Sequence, residues 1–120
     1  MGNSNILNGK VSCNRNILLS IVTLAAKEVN GVAGLVENYN SKISNILKRK
    51  YHGGVKINYY DNNKRITIDI YLTIQYGYTV NDVSARVQEN IISSVNSMLN
   101  VNIDAVNVHI IGVDFSTDNE

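Results

Sequence analysis

Apolar and polar residues along this chain change period several times, and each change marks an element. From Arg15 onward Ile17, Leu18, Ile21, Val22, Leu24, Ala25 and Val29 recur at intervals of three and four, the repeat of one face of an α-helix. Asn14 can cap the first turn, and Asn30-Gly31 supplies a left-handed stop. Upstream, Val11 and Cys13 alternate with Lys10 and Ser12, which predicts a short strand entered through Asn8-Gly9. Gly31 to Gly34 reads as a connection. Beyond it, Ile43, Ile46 and Leu47, followed by Lys48 to Lys50, predict a short amphipathic helix capped by Asn40 or Ser41 and ended before Gly53-Gly54. Its basic last turn suits the negative end of a helix dipole.

The period then becomes two. Val55, Ile57 and Tyr59 alternate with Lys56, Asn58 and Tyr60, and after Asp61-Asn62-Asn63-Lys64 the apolar set Ile66, Ile68, Ile70, Leu72 and Ile74 alternates with Thr67, Asp69, Tyr71 and Thr73. Two such runs around a turn-rich tetrapeptide predict an antiparallel hairpin. Tyr76-Gly77-Tyr78 ends the strand. Thr79 with Asp82 resembles a capping box for a long helix whose stripe is Val80, Val83, Val87, Ile91, Val95, Met98 and Leu99, running to about Asn100. A last strand carries Val106, Val108 and Ile110 and is interrupted at Gly112 before Val113 and Phe115. One amphipathic sheet with helices on one side satisfies every stripe. The expected class is therefore α+β: a two-layer sandwich of one small, mostly antiparallel sheet covered on one face by two main helices and the short helix.

With 120 residues the chain has room for one core, expected over 9–115, with a flexible tail at 1–8 and an acidic tail at 116–120. A single cysteine, Cys13, rules out an internal disulfide and fits a reducing cytoplasm. No apolar run is long enough to span a membrane, and residues 1–8 lack the features of a signal peptide. The net charge of +1 conceals an asymmetry. Residues 41–65 hold seven basic residues against Asp61, a net +6, which leaves −5 for the remainder. Lys48, Arg49, Lys50, Lys56, Lys64 and Arg65 form a candidate patch for anionic surfaces.

Candidate chemistry is sparse. Cys13 has only the remote His52 and His109 as potential bases, and two isolated histidines do not make a metal site, so neither a catalytic residue, a metal nor a cofactor is expected. Glu28, Glu37, Asp69, Asp82 and Glu89 are scattered over different elements, and phosphate-binding, dinucleotide and zinc-protease motifs are missing. Two binding signals remain. Gly31-Val32-Ala33-Gly34 matches the G-x-x-G loop of KH domains, against the simpler reading of a helix-ending turn whose glycines both serve folding. The polar face of the sheet would gather Lys56, Asn58, Tyr60, Thr67, Asp69, Tyr71, Thr73, Asn107, His109 and Ile111, and tyrosines among short polar residues suit a surface covered by a protein. Tyr60, Tyr71, His109 and Ile111 are its candidate contact residues.

In order, Ala25-Ala26-Lys27-Glu28-Val29-Asn30-Gly31-Val32 with Gly34-Leu35, Gly54-Val55-Lys56-Ile57, Asp69-Ile70-Tyr71 with Tyr76-Gly77, Val87-Gln88-Glu89-Asn90-Ile91, and Val106-Asn107-Val108-His109-Ile110 with Gly112-Val113 resemble the alkaline shock protein family. The resemblance covers roughly residues 9 to 115 and is greatest to the small housekeeping-type members. It implies a small cytoplasmic α+β protein without established catalysis, linked to cell-envelope homeostasis and alkaline stress in Gram-positive bacteria. Self-association, a protein partner, and peripheral or partner-mediated attachment to the inner face of the cell membrane are further implications. The Cys13-Asn14-Arg15 helix start departs from the usual, more acidic one. The competing expectation is a KH-like single-stranded nucleic-acid binder using Gly31 to Gly34.

Overall fold

The computed structural model describes residues 6–7, 10–12, 14–36 and 53–116. The predicted helix at 41–50, together with Cys13, Lys48, Arg49, Lys50 and His52, lies outside them. Within them, β1 (Ile6–Leu7), β2 (Lys10–Ser12), α1 (Arg15–Lys27), β3 (Val32–Leu35), β4 (Val55–Tyr60), β5 (Arg65–Gln75), α2 (Val80–Met98), β6 (Leu99–Asn100) and β7 (Asn102–Asp114) follow in chain order.

The core is organised by β5. Its even-numbered residues Ile66, Ile68, Ile70, Leu72 and Ile74 are almost fully buried under the helices, each contributing about 1.5–3 kcal/mol by leaving water. Its odd-numbered residues face the other way, as period two requires. Antiparallel β4 pairs with the first half of β5, from Tyr60 opposite Arg65 to Val55 opposite Ile70, and antiparallel β3 takes over at Leu72 to Ile74 on the same edge. Tyr71 is the handover rung: its N–H donates to the Gly54 carbonyl at 2.8 Å and its carbonyl accepts from the Val36 N–H at 2.9 Å. On the opposite edge β7 runs parallel to β5 over its whole length, with α2 as the crossover. The hairpin turn works because Asp61, Asn62 and Asn63 all adopt positive φ (55, 56 and 68°), which their short polar side chains tolerate better than most.

Helix α1 buries Leu18, Ile21, Val22, Ala25 and Ala26; α2 buries Val83, Val87, Ile91 and Val95. The Asn14 side-chain oxygen accepts from the N–H groups of Asn16 (2.9 Å) and Ile17 (3.3 Å), the cap expected from sequence.

Several expectations need correction. Of Gly31 to Gly34 only Gly31 belongs to the turn that ends α1; Val32 to Leu35 form β3, hydrogen-bonded into the sheet. The Lys10–Ser12 strand is real but sits outside the main sheet, parallel to β6 in a separate small sheet with β1, so the stretch expected as a tail contains a strand at Ile6–Leu7. Thr79 caps α2 by position without a side-chain hydrogen bond, while Asp82 lies 4.0 Å from Arg86. Helix α2 stops at Met98, and Leu99–Asn100 become β6. Ile17, Leu24, Val80 and Met98, assigned to buried stripes, are exposed. The final strand starts at Asn102, and its expected interruption is a register shift between Ile110 and Gly112.

Candidate functional site: the open face of the sheet

Pairing of β4, β5 and β7 brings together residues far apart in sequence on the face that α1 and α2 leave open. Across its middle, Lys56 stands opposite Asp69, which stands opposite Asn107; one rung further, Tyr71 stands opposite His109. The Asp69 carboxylate is the hub. Its Oδ1 accepts from Asn107 Nδ2 at 3.1 Å and lies 3.0 Å from His109 Nε2, a contact in which the imidazole N–H is the donor. The Tyr71 ring stacks on the imidazole, with centroids 4.4 Å apart and planes 10° from parallel. This cluster is partly buried rather than enclosed, and it presents a flat aromatic and polar surface.

The expected face residues that have partners across the strands share one face, but they divide into two groups. Tyr71 and His109 touch, while Ile111 is the unpaired residue of the β7 bulge, where Gly112 takes the place opposite Thr73. Tyr60 lies opposite Arg65 at the other end of β5, six residues from Tyr71 and so about 20 Å away. There Arg65 forms an ion pair with Asp104 (2.8 Å from Nη2), and its Nε donates to both carboxylate oxygens at 3.0 and 3.3 Å. Those hydrogen bonds, and then the charge of Asp104, raise the Arg65 pKa. Of the candidate basic patch, the described members are thus Lys56 on the sheet face, Lys64 in the turn, and an Arg65 whose charge already has a counter-ion.

Sequence reasoning misses three things. The Asp69–His109 pair joins positions 40 residues apart on strands that are parallel, a pairing no local pattern encodes. Nothing in the sequence marks Asp104 as the partner of Arg65. At the far end of the sheet Tyr76 and Phe115 form a tilted ring pair with centroids 5.1 Å apart; their positions in a Tyr-Gly-Tyr turn and near a chain end give no signal. Beside them the Asp114 carboxylate accepts from the Ser116 hydroxyl (2.6 Å) and backbone N–H (2.9 Å), which lowers its pKa.

The two glycines of the G-x-x-G match play different parts. Gly31 has φ +102°, and a Cβ there would fall 2.7 Å from Tyr78 Cδ2 and 2.9 Å from Val83 Cγ2. Gly34 has open space around it, which corrects the expectation that both serve folding. With Val32 to Leu35 bonded into the sheet, the tetrapeptide does not form the backbone-gripping loop of a KH domain. Among the described residues, no three His, Cys, Asp or Glu side chains gather closely enough to hold a metal ion, and no helix is long and apolar enough to cross a membrane.

An α+β unit with two helices on one face and a tyrosine–histidine–carboxylate cluster on the other is the class of domain that these features define. The chain belongs to the alkaline shock protein family, described as having a cell envelope-related function, whose model matches residues 3–115. It is the same family that its motifs resemble. Among its relatives, the uncharacterized protein YqhY of Bacillus subtilis is 36 % identical over 110 residues, covering 91 % of this chain and 80 % of that protein. The uncharacterized protein Spy1535 of Streptococcus pyogenes is 30 % identical over 105 residues, covering 88 % and 79 %. Among solved structures, a MamM CTD covers 82 % of this chain and 99 % of its own, with a TM-score of 0.57 at 15 % identity. A MamM CTD variant in its zinc form covers 87 % and 91 %, with a TM-score of 0.56 at 13 % identity. At these identities the likeness concerns the fold alone.

Proposed function

We propose that this protein is a non-enzymatic binding and scaffold module of cell-envelope homeostasis under alkaline stress, and that it meets another protein, a second copy or an envelope component, through the open face of its sheet. The observation that carries the reading is the Tyr71–His109 stack held by Asp69 on the face that α1 and α2 leave open. Tyrosine and histidine offer broad apolar planes with polar tips, and two side chains already locked against each other lose little rotamer freedom on docking. The family's envelope-related function supplies the setting. The absence of catalysis belongs to this proposal: the hub carboxylate is occupied by Asn107 and His109, an arrangement that fixes a surface.

The test is capture of partners from the native bacterium by the wild type and by Tyr71→Asp, with light scattering of both purified proteins. The expected outcome is loss of partner capture or a lower assembled mass for Tyr71→Asp with unchanged circular dichroism. An unaltered assembly and unaltered capture would overturn the role of this face. Cys13→Ser is expected to leave every one of these readouts unchanged.

A further inference from the structure

Strand β7 is 13 residues long, and among the described residues it pairs on one edge only, with β5. An edge strand is a template for another strand, and proteins usually protect it with lysine, proline or a bulge. β4, the edge strand of the hairpin, carries Lys56. β7 contains no Lys, Arg or Pro at all. Its two register shifts fall at the ends and leave the run from Ala105 to Ile110 regular.

The Val106 carbonyl accepts from Gln88 Nε2 of α2 at 2.9 Å. In a parallel ladder alternate residues of a strand turn both backbone groups to one neighbour, so Val106, Val108 and Ile110 direct theirs to the outer edge. Gln88 occupies one of these groups in the single chain.

We propose that β7 pairs antiparallel with β7 of a second copy, about a two-fold axis through Val108 and perpendicular to the sheet. This rests on the self-association part of the reading above and deepens it by naming partner and register. Centred on Val108, the pairing sets Val106 against the partner's Ile110 on the helix side and Asn107 against the partner's His109 on the open side. Within the regular run from Ala105 to Ile110, this register alone opposes all three apolar positions, Val106, Val108 and Ile110, to apolar residues of the partner. A register centred on Asn107 or His109 does so for two of them, and one centred on Val106 or Ile110 for one, so the pattern selects one register, as it does within any half-buried sheet. The partner's Ile110 N–H replaces Gln88 at the Val106 carbonyl. The product is one continuous sheet, with the helices of both copies on the same side.

Sedimentation velocity of the full chain is expected to show a dimer, and Val108→Lys, which sets two ammonium groups against each other at the axis, a monomer with unchanged circular dichroism. The register is tested separately in a Cys13→Ser background by mixing Asn107→Cys with His109→Cys under oxidising conditions. Opposed residues without mutual hydrogen bonds have Cα atoms about 4.5 Å apart, within disulfide reach. A covalent dimer is expected from the mixture and little from either variant alone. A monomeric wild type, or a mixture that forms no more covalent dimer than the separate variants, would overturn the proposal even if Val108→Lys fails to fold. Loss of partner capture in Tyr71→Asp alongside a monomeric wild type would leave the open-face reading standing without the edge. A dimer crosslinked as expected and indifferent to Tyr71→Asp, with partner capture also unchanged, would do the reverse.

Discussion

At the scale of single residues, the two glycines three positions apart separate backbone need from mere small size. At Gly31 a side chain meets two obstacles: φ of +102° lies where L-residues are strained, and the new Cβ would press on Tyr78 and on the buried Val83. Gly31→Ala is expected to lower stability by about 1–3 kcal/mol, read as a lower urea midpoint with an unchanged slope. Gly34→Ala has open space and a β-strand backbone, and is expected to stay within about 0.5 kcal/mol of the wild type. Equal losses at the two positions would show that the local geometry is not what matters. The sequence places the two glycines on an equal footing because it displays their spacing and not their φ.

At the scale of elements, the two main helices start in ways that look alike in sequence and differ in structure. Asn14 receives two backbone N–H groups; Thr79 receives none through its side chain, and α2 begins instead with Asp82 near the positive end of its dipole. Asn14→Ala is expected to cost about 1 kcal/mol and Thr79→Ala only a few tenths, measured by chemical denaturation of each variant. A large loss at Thr79 would point to a role for its hydroxyl other than capping. The β4–β5 hairpin is legible to the residue because alternation, turn composition and close sequence proximity all agree. Strand β3 is not, since four residues that include a glycine carry almost no periodicity; their strand character comes from the half of β5 that β4 leaves unpaired. Val80 and Met98 expose a different limit. They sit at the right angle around α2, but as its first and last residues they lie where core cover ends, and periodicity reports direction without extent.

At the scale of the whole molecule, the face composition follows from alternation alone, whereas the Asp69–His109–Tyr71 cluster requires knowing that β7 runs parallel beside β5. Charge is the other long-range property, and it is already visible as the +6 of residues 41–65 against −5 elsewhere. The ion pair with Asp104 balances the charge of Arg65, so any attraction to an anionic surface is expected to draw chiefly on Lys48, Arg49 and Lys50. A basic residue close to an anionic leaflet contributes about 1 kcal/mol, enough in combination for weak, reversible attachment. With a Debye length of about 8 Å at physiological ionic strength, that attachment is expected to fall steeply with added salt. Sedimentation with phosphatidylglycerol vesicles checks it: the wild type is expected to pellet at low salt, while the variant carrying Lys48→Glu, Arg49→Glu and Lys50→Glu stays in solution. The double variant Arg65→Gln with Asp104→Asn, which removes both charges of a balanced pair, is expected to pellet like the wild type. Equal sedimentation of the wild type and the triple variant, or equal binding to neutral vesicles, would remove the electrostatic route to the envelope and leave protein contacts through the sheet to account for it.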